Sequence, residues 1–458
     1  MTDLAKEQGT WKRGILCLVI LAPFFFLTYG FANQYASGLL SVPSIVFNWE
    51  KHIPLWPWTI VPYWSIDLFY GLSLLLCWNK FELRQHALRL FTAQVIAISC
   101  FLLLPLKFSF ERPELHGFFG VWFDILMGFD KPFNQAPSLH IVLLTILWDF
   151  YRRHVSPYWK WLVDFWSFLI GLSVLTTWQH HFIDIPTGLL TGAFCLWLFP
   201  ITTKSPFKKD GLQALTPKHL KLGSYYLIGA ILFTIPAFVF RSWALWLLYP
   251  AISLLLVALA YFFVRPHFFQ KQNNGKMTIA SLILFAPYMI FAWSNSRIWT
   301  KKHPKDSKII SVENMTIFLG RIPNQKHTQN FQALFDCCAE IPVHFSQTQF
   351  FQTQYQQYLS LDLIPLQANQ LKQAVHQFEL LYNQIKTDPS EQNILIFCAL
   401  GYSRSSAILC AWLIKQGHVN SVQEAVLLIQ QARPWIVLKQ PQLKELNLFQ
   451  LKLKGLAP

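Results

Sequence analysis

The sequence predicts a multi-pass α-helical membrane domain followed by a soluble α/β domain. Three observations carry this reading. The 458 residues are 53% hydrophobic and only 13% charged, where an ordinary soluble protein carries roughly 25% charged residues. About nine apolar runs, near the ~20 residues that a bilayer requires, centre on residues 23, 67, 97, 145, 168, 191, 231, 254 and 286. From about residue 297 the composition turns polar and basic (NSRIWTKKHPKDSK), and no further run of that kind follows. The expected division is a membrane domain over 1–300 and a soluble domain over 305–458.

The first run follows Lys12 and Arg13 and has further runs behind it, so it reads as a retained anchor and not a cleaved signal. The formal net charge of +15 would suit nucleic acid in a soluble domain, but much of the Lys and Arg lies in short loops between apolar runs, as in a membrane protein, so no nucleic-acid binding is expected. Four of the eight cysteines (Cys17, Cys77, Cys100 and Cys195) fall inside apolar runs, and there is no metal-type C-x-x-C pair. Neither a metal nor another cofactor is expected.

The soluble part alternates strand and helix signals. MTIFLG, FQALFDCC, YLSLDL and ILIFC read as strands, and residues 369–386, 404–416 and 421–432 as helices. Alternation of this kind favours a sheet with helices packed on it. Between the strand ILIF and the helical pattern SSAILCAWLI lies the loop Cys398-Ala399-Leu400-Gly401-Tyr402-Ser403-Arg404. A loop entering a helix N-terminus aims several backbone N–H groups at one spot, which suits a phosphate group. The same positive end stabilises a thiolate at Cys398. Arg404 can hold two phosphate oxygens with its planar fork, and Gly401 allows the tight curve. Ser405 can donate to the sulfur and ease its departure. Asp362, at the end of the YLSLDL strand, is placed to protonate a leaving oxygen.

Residues 398–405 resemble the signature loop of the dual-specificity protein phosphatases, a branch of the cysteine-dependent phosphatases, and ARPWI at 432–436 resembles a stretch of that family's C-terminal helices. The resemblance implies that Cys398 is the nucleophile, Arg404 the phosphate ligand and Asp362 the general acid, with no metal. Phe397 stands where that family usually has His. The loop carries no Lys, which points to a singly phosphorylated group.

The membrane part has a second constellation. FERPE at 110–114 follows the third run, APSLH at 136–140 opens the fourth, and SVLTTWQHHFIDIPTG at 173–188 joins the fifth to the sixth. With alternating topology these segments emerge on one side, so Arg112, His140, His180 and Asp184 can meet. Polar groups at membrane depth are costly and usually functional. A carboxylate four residues from His180 fixes its tautomer and leaves the other nitrogen nucleophilic. His140 would supply the acid, and Arg112 and Lys107 would neutralise phosphate charge. His181 reads as structural. The set resembles the type-2 phosphatidic acid phosphatase superfamily, with Leu139 in place of Gly, Val174 in place of Arg, and Lys107 two residues closer to Arg112 than that pattern has it. The QHHFID wording is nearer to the inositol phosphorylceramide synthase branch.

Together the two resemblances describe a bacterial fusion of a lipid-phosphatase-type membrane domain with a dual-specificity phosphatase. The expected function is a phosphatase with two phosphate sites, working on membrane lipids and on a phosphorylated lipid headgroup or phosphoprotein. A headgroup transferase with an attached phosphatase is one alternative. A membrane-anchored phospholigand-binding module, prompted by Phe397, is the other. Lys12 and Arg13, then Lys80, Arg84 and Arg89, Arg152 and Arg153, and five Lys from 204 to 221 place those segments on the cytoplasmic side of an inner membrane. Nine crossings would then carry residues 305–458 to the periplasmic side.

Overall fold

In the computed structural model, residues 6–207, 214–345 and 353–456 are described, and Lys208 and Lys209 of the basic segment lie outside them. The chain forms two compact units, residues 1–202 and 203–458. The change of composition near residue 300 marks where apolar sequence ends and not where packing ends, since three apolar helices belong to the second unit.

The first unit contains α1 (Thr10–Ser37), α2 (Ile60–Leu75), α3 (Lys80–Leu103), α4 (Gly117–Phe129), α5 (Leu139–His154), α6 (Lys160–Thr176) and α7 (Asp184–Leu198). The second opens with α8 (Pro217–Phe240), α9 (Leu248–Phe262) and α10 (Ile279–Trp299). Each of the nine apolar runs lies on a helix, and α4 was not anticipated. Among the described residues, five helices are long and apolar enough to cross a membrane by length and composition: α1, α3, α8, α9 with its preceding 3-10 turn (Ser242–Phe262), and α10. The helices α2, α5, α6 and α7 have 16, 16, 17 and 15 residues. At 1.5 Å per residue they reach only about 22–26 Å against a hydrocarbon core of ~30 Å. Nine spans, as expected from sequence, are therefore not clearly present: the described residues hold five helices of spanning length.

The rest of the second unit is an α/β domain. Its strands are β1 (Ser307–Val312), β2 (Met315–Arg321), β3 (Ala333–Cys338), β4 (Gln354–Ser360) and β5 (Gln392–Cys398), ordered β1-β2-β5-β3-β4. β1 pairs antiparallel with β2, and the other neighbours are parallel. The helices are α11 (Ala368–Lys386), α12 (Arg404–Lys415), α13 (Val422–Ala432) and α14 (Gln440–Leu453). The central strand β5 is buried on both faces, as a parallel strand with covered faces must be. Ile394, Ile396 and Cys398 join the core under the helices, while Leu395, Phe397 and Ala399 join a smaller cluster on the other face. Ala292 of α10 packs on that second cluster. Two expectations shift here. β4 ends at Ser360, so Asp362 sits in the following turn, and β1 and α14 are additional elements.

Candidate active site

β5 delivers Cys398 to the N-terminus of α12 at the end of the parallel strands. The Cys398 sulfur accepts from the Gly401 N–H at 3.2 Å and from the Ser405 hydroxyl at 3.3 Å. Gly401 has φ +69°, and a Cβ there would lie 2.2 Å from the Gly320 carbonyl oxygen, so the loop closes only with glycine. Burial raises the Cys398 thiol's pKa. Arg404, the Ser405 hydroxyl and the backbone N–H groups of Ser405 and Gly401 outweigh it, leaving the thiol below its ordinary value.

Arg404 is buried, and its guanidinium is already engaged. Nη1 donates to Glu340 Oε2 at 2.9 Å and to the Ser360 carbonyl at 2.8 Å. Nη2 donates to Glu340 Oε1 at 2.6 Å and reaches Asp362 Oδ1 at 2.9 Å. Glu340 clamps the arginine in a two-pronged pair and holds its plane fixed. It is held ionised by Arg404: burial raises its pKa, and the guanidinium brings it back below the ordinary value. Asp362, whose side chain is 29% exposed, shares the same cation from the mouth of the site. Burial raises its pKa; Arg404 opposes this, Glu340 adds to it, and the net is above the ordinary aspartate value. Glu340 was not identified from sequence. It lies between β3 and β4, and only the fold brings it to Arg404.

Behind the loop, fully buried Arg433 donates from Nε to the Gly401 carbonyl at 2.9 Å, from Nη2 to the Leu400 carbonyl at 3.3 Å, and from Nη1 to the Leu319 carbonyl at 3.2 Å. This is what the ARPWI stretch does: it ties down carbonyls so that the loop's N–H groups can face inward. The Ser403 hydroxyl accepts from Gln442 on α14 at 3.2 Å, and the Tyr402 carbonyl accepts from the Val437 N–H at 2.8 Å. The Ala399 carbonyl accepts from the Ser296 hydroxyl of α10 at 2.5 Å. Phe397 faces away from the thiol, fully buried in the cluster that α10 helps to cover. An apolar residue suits that covered face.

In the first unit, His180 Nδ1 lies 3.1 Å from Asp184 Oδ2, so an Nδ1–H donor leaves the Nε2 lone pair free. The Ser138 N–H donates to the Asp184 carbonyl at 3.2 Å, joining the starts of α5 and α7. His140 directs Nε2 at the Tyr63 carbonyl, 2.9 Å away, and stacks on the Tyr63 ring. Arg112 donates to the Trp178 carbonyl, two residues before His180, at 2.9 Å. Lys107 is exposed and has no side-chain partner among the described residues. His181 is tied to Glu50 at 2.8 Å and accepts from the Ser109 N–H at 3.1 Å. Glu50 is a further partner that sequence reading missed. No group of three or more His, Cys, Asp or Glu among the described residues is arranged to hold a metal ion.

A thiol lowered by a helix N-terminus and a clamped arginine, set at the end of a parallel strand, is an arrangement suited to a cysteine nucleophile acting on a phosphate group. Residues 317–452 match the family described as dual specificity phosphatase, catalytic domain. The chain carries such a domain and is a phosphatase that hydrolyses phosphate monoesters. Among solved structures it is similar to PTPMT1 in complex with PI(5)P (19% identity, 30% of this chain and 92% of that one, TM-score 0.26). It is also similar to human DUSP28 (15% identity, 31% and 96%, TM-score 0.26) and to the Yvh1 phosphatase domain from Chaetomium thermophilum (14% identity, 34% and 100%, TM-score 0.28). No curated protein matches the chain.

Proposed function

We propose that Cys398 attacks the phosphorus of a phosphomonoester. The S–P bond forms as the P–O ester bond breaks, and Asp362 gives its proton to the departing oxygen. Water then attacks the phosphocysteine. Asp362 takes a proton from that water, the S–P bond breaks, and phosphate leaves. Ser405 donates to the sulfur as negative charge returns to it. The N–H groups of residues 399–403 and Arg404 cradle the phosphoryl oxygens. The observation that carries this reading is the sulfur held by Gly401 N–H and the Ser405 hydroxyl beside a clamped Arg404. Because four guanidinium N–H bonds already go to protein acceptors, an arriving phosphate displaces Asp362 from Nη2. The displaced carboxyl is then free to face the leaving group.

This scheme has a pH signature. The thiolate is needed, so kcat/KM rises with pH through the Cys398 pKa, which lies below the ordinary thiol value. The acid must be protonated, so it falls again through the Asp362 pKa, which lies above the ordinary carboxylate value. Asp362→Asn is expected to abolish the alkaline fall and to lower kcat about 10²-fold for an alkyl ester. The loss should be much smaller for p-nitrophenyl phosphate, whose leaving group needs little help. An unchanged alkaline limb in the variant would remove Asp362 from the role.

A second site is proposed in the first unit, favoured by the His180–Asp184 pair. There His180 Nε2 would attack a lipid phosphate or phosphodiester, Asp184 would hold the ring, and His140 would protonate the leaving group through Nδ1. Arg112 would offset phosphate charge. Lys107, exposed, would approach only with the lipid. Water as acceptor makes this site a hydrolase; a lipid alcohol as acceptor makes it a headgroup transferase. His180→Ala is expected to stop turnover at this site while leaving Cys398-dependent hydrolysis of p-nitrophenyl phosphate within about twofold, given separate nucleophiles. Lipid turnover lost only in the Cys398→Ser protein would make the histidine cluster structural.

A further inference from the structure

Helix α10 is long enough to cross a bilayer, yet both of its ends are fastened to the phosphatase domain. Before it, Lys271 Nζ pairs with Asp336 and donates to the carbonyls of Cys338 and Ile341 at 2.8 and 2.6 Å. In the same segment, the Gly275 carbonyl accepts from the Val343 N–H at 2.9 Å. At its other end, Ser296 donates to the Ala399 carbonyl, and Arg297 to the Ile322 carbonyl at 3.1 Å. Just beyond, Thr300 accepts from Arg321 at 2.5 Å. A crossing helix leaves its two flanks on opposite sides of a bilayer about 30 Å thick. One folded domain cannot hold both. Helix α10, about 31 Å long at 1.5 Å per residue, therefore lies along the domain.

The hairpin of α8 and α9 behaves differently. Lys218, at the start of α8, acts electrostatically on Asp362, and Tyr261, at the end of α9, donates to the Asp362 carbonyl at 3.0 Å. Both ends return to the catalytic domain, while Phe240 and Trp243 at the turn are exposed. A hairpin of two crossings brings the chain back to the side it left. The side is that of the basic segment with Lys204, Lys218 and Lys221, which the charge rule puts in the cytoplasm. The periplasmic placement expected from sequence counted α10 as a crossing.

The pocket beside the catalytic loop is walled by Tyr226 of α8 and Tyr288, Phe291 and Asn295 of α10, facing Glu340 and Asp362. The outer side of α10 exposes Ile290 (67%), Trp293 and Ile298 (71%). Apolar side chains with tryptophans beside Arg297 and Lys301 suit a helix lying in a membrane interface. We infer that α10 is a membrane-surface helix and that the Cys398 site draws its substrate from the cytoplasmic lipid surface along it, so that its substrate is a lipid phosphomonoester. This rests on the catalytic reading given above. A phosphopeptide, by contrast, would have to thread past α8 and α10.

The test uses full-length protein carrying His180→Ala, reconstituted in phosphatidylcholine vesicles, so that Cys398 turnover alone is read. Phosphate release is compared for long-chain phosphatidic acid in the vesicles, its water-soluble dibutyryl analogue, a phosphotyrosine peptide and p-nitrophenyl phosphate. The long-chain lipid is expected to be preferred by about tenfold or more. Ile290→Asp with Ile298→Asp is expected to cut lipid turnover about tenfold and to leave p-nitrophenyl phosphate within about twofold, since charge on the apolar face opposes lipid contact. A preferred phosphopeptide, or lipid turnover indifferent to the aspartates, overturns the inference while leaving the catalytic reading intact. Loss of p-nitrophenyl phosphate hydrolysis in the protein lacking only His180 overturns the catalytic reading itself. A fluorescent protein fused after Pro458 should fluoresce in a bacterial host, and alkaline phosphatase fused there should be inactive. Active alkaline phosphatase would make α10 a crossing and overturn the placement.

Discussion

Cys398→Ser is expected to lower phosphomonoester hydrolysis by the second unit at least a thousandfold, a barrier increase of ~4 kcal/mol. The serine is close to isosteric, so the loop keeps its shape. Arg433 still ties back the Leu400 and Gly401 carbonyls, and Glu340 still clamps Arg404. What changes is the nucleophile. Arg404, the Ser405 hydroxyl and the backbone N–H groups of the loop hold the thiol below its ordinary value and so favour the thiolate, but a hydroxyl starts far too high for the same environment to matter. The variant should still bind orthovanadate, which resembles the transferring phosphoryl group. Binding with turnover lost separates a chemical role from a structural one. Retention of more than about a tenth of the rate would exclude the phosphocysteine route. Loss of vanadate binding along with the rate would show instead that the sulfur shapes the loop.

How much of this site could be read from the sequence follows from how local each interaction is. Cys398, Gly401, Arg404 and Ser405 are contiguous, and strand, loop and helix signals around them agree, so their geometry was legible. Asp362 was found as a carboxylate near a strand end, although the strand stops at Ser360 and the following turn carries Leu363 at φ +59°. Glu340 was invisible, because its only claim is a spatial pairing with Arg404 far along the chain. Arg433 was visible only within a recognisable stretch, because its function is to bind backbone carbonyls, which sequence does not display. β1 escaped notice because SKIISV is a half-covered edge strand with Lys and Ser among its apolar residues. The span count differs for another reason: an apolar run marks a helix that avoids water but does not fix where it ends, and α2, α5, α6 and α7 stop at 16, 16, 17 and 15 residues. Phe397 shows the converse. Its departure from the family pattern becomes intelligible once the second face of the sheet is seen to be covered.

Lys271→Met is expected to destabilise the catalytic domain by about 3–5 kcal/mol, the usual cost of stranding one member of a buried ion pair. Both side chains are fully buried, with Lys271 Nζ 2.5 Å from Asp336 Oδ2. Methionine matches the stem of lysine and fills the space, so the loss is electrostatic: Asp336 keeps Tyr355 and the Cys338 N–H as donors but loses its cation, and the carbonyls of Cys338 and Ile341 lose theirs. Burial already raises the Asp336 pKa above its ordinary value despite Lys271, and removing the lysine raises it further. A carboxyl with a raised folded pKa favours folding below its unfolded pKa and loses that contribution as pH rises towards the folded value. The gap in melting temperature between wild type and variant, read on full-length protein in detergent, should therefore be roughly 10 °C at neutral pH and narrow towards about pH 4. Adding Asp336→Leu should recover most of the loss, because an apolar pair of similar volume tolerates burial better than a lone carboxylate. The segment bearing Lys271 also fastens the start of α10, so the single variant should lose lipid turnover at temperatures below its own unfolding. Unchanged melting at neutral pH would mean that water reaches Asp336 and that the pair does not anchor the helix to the domain.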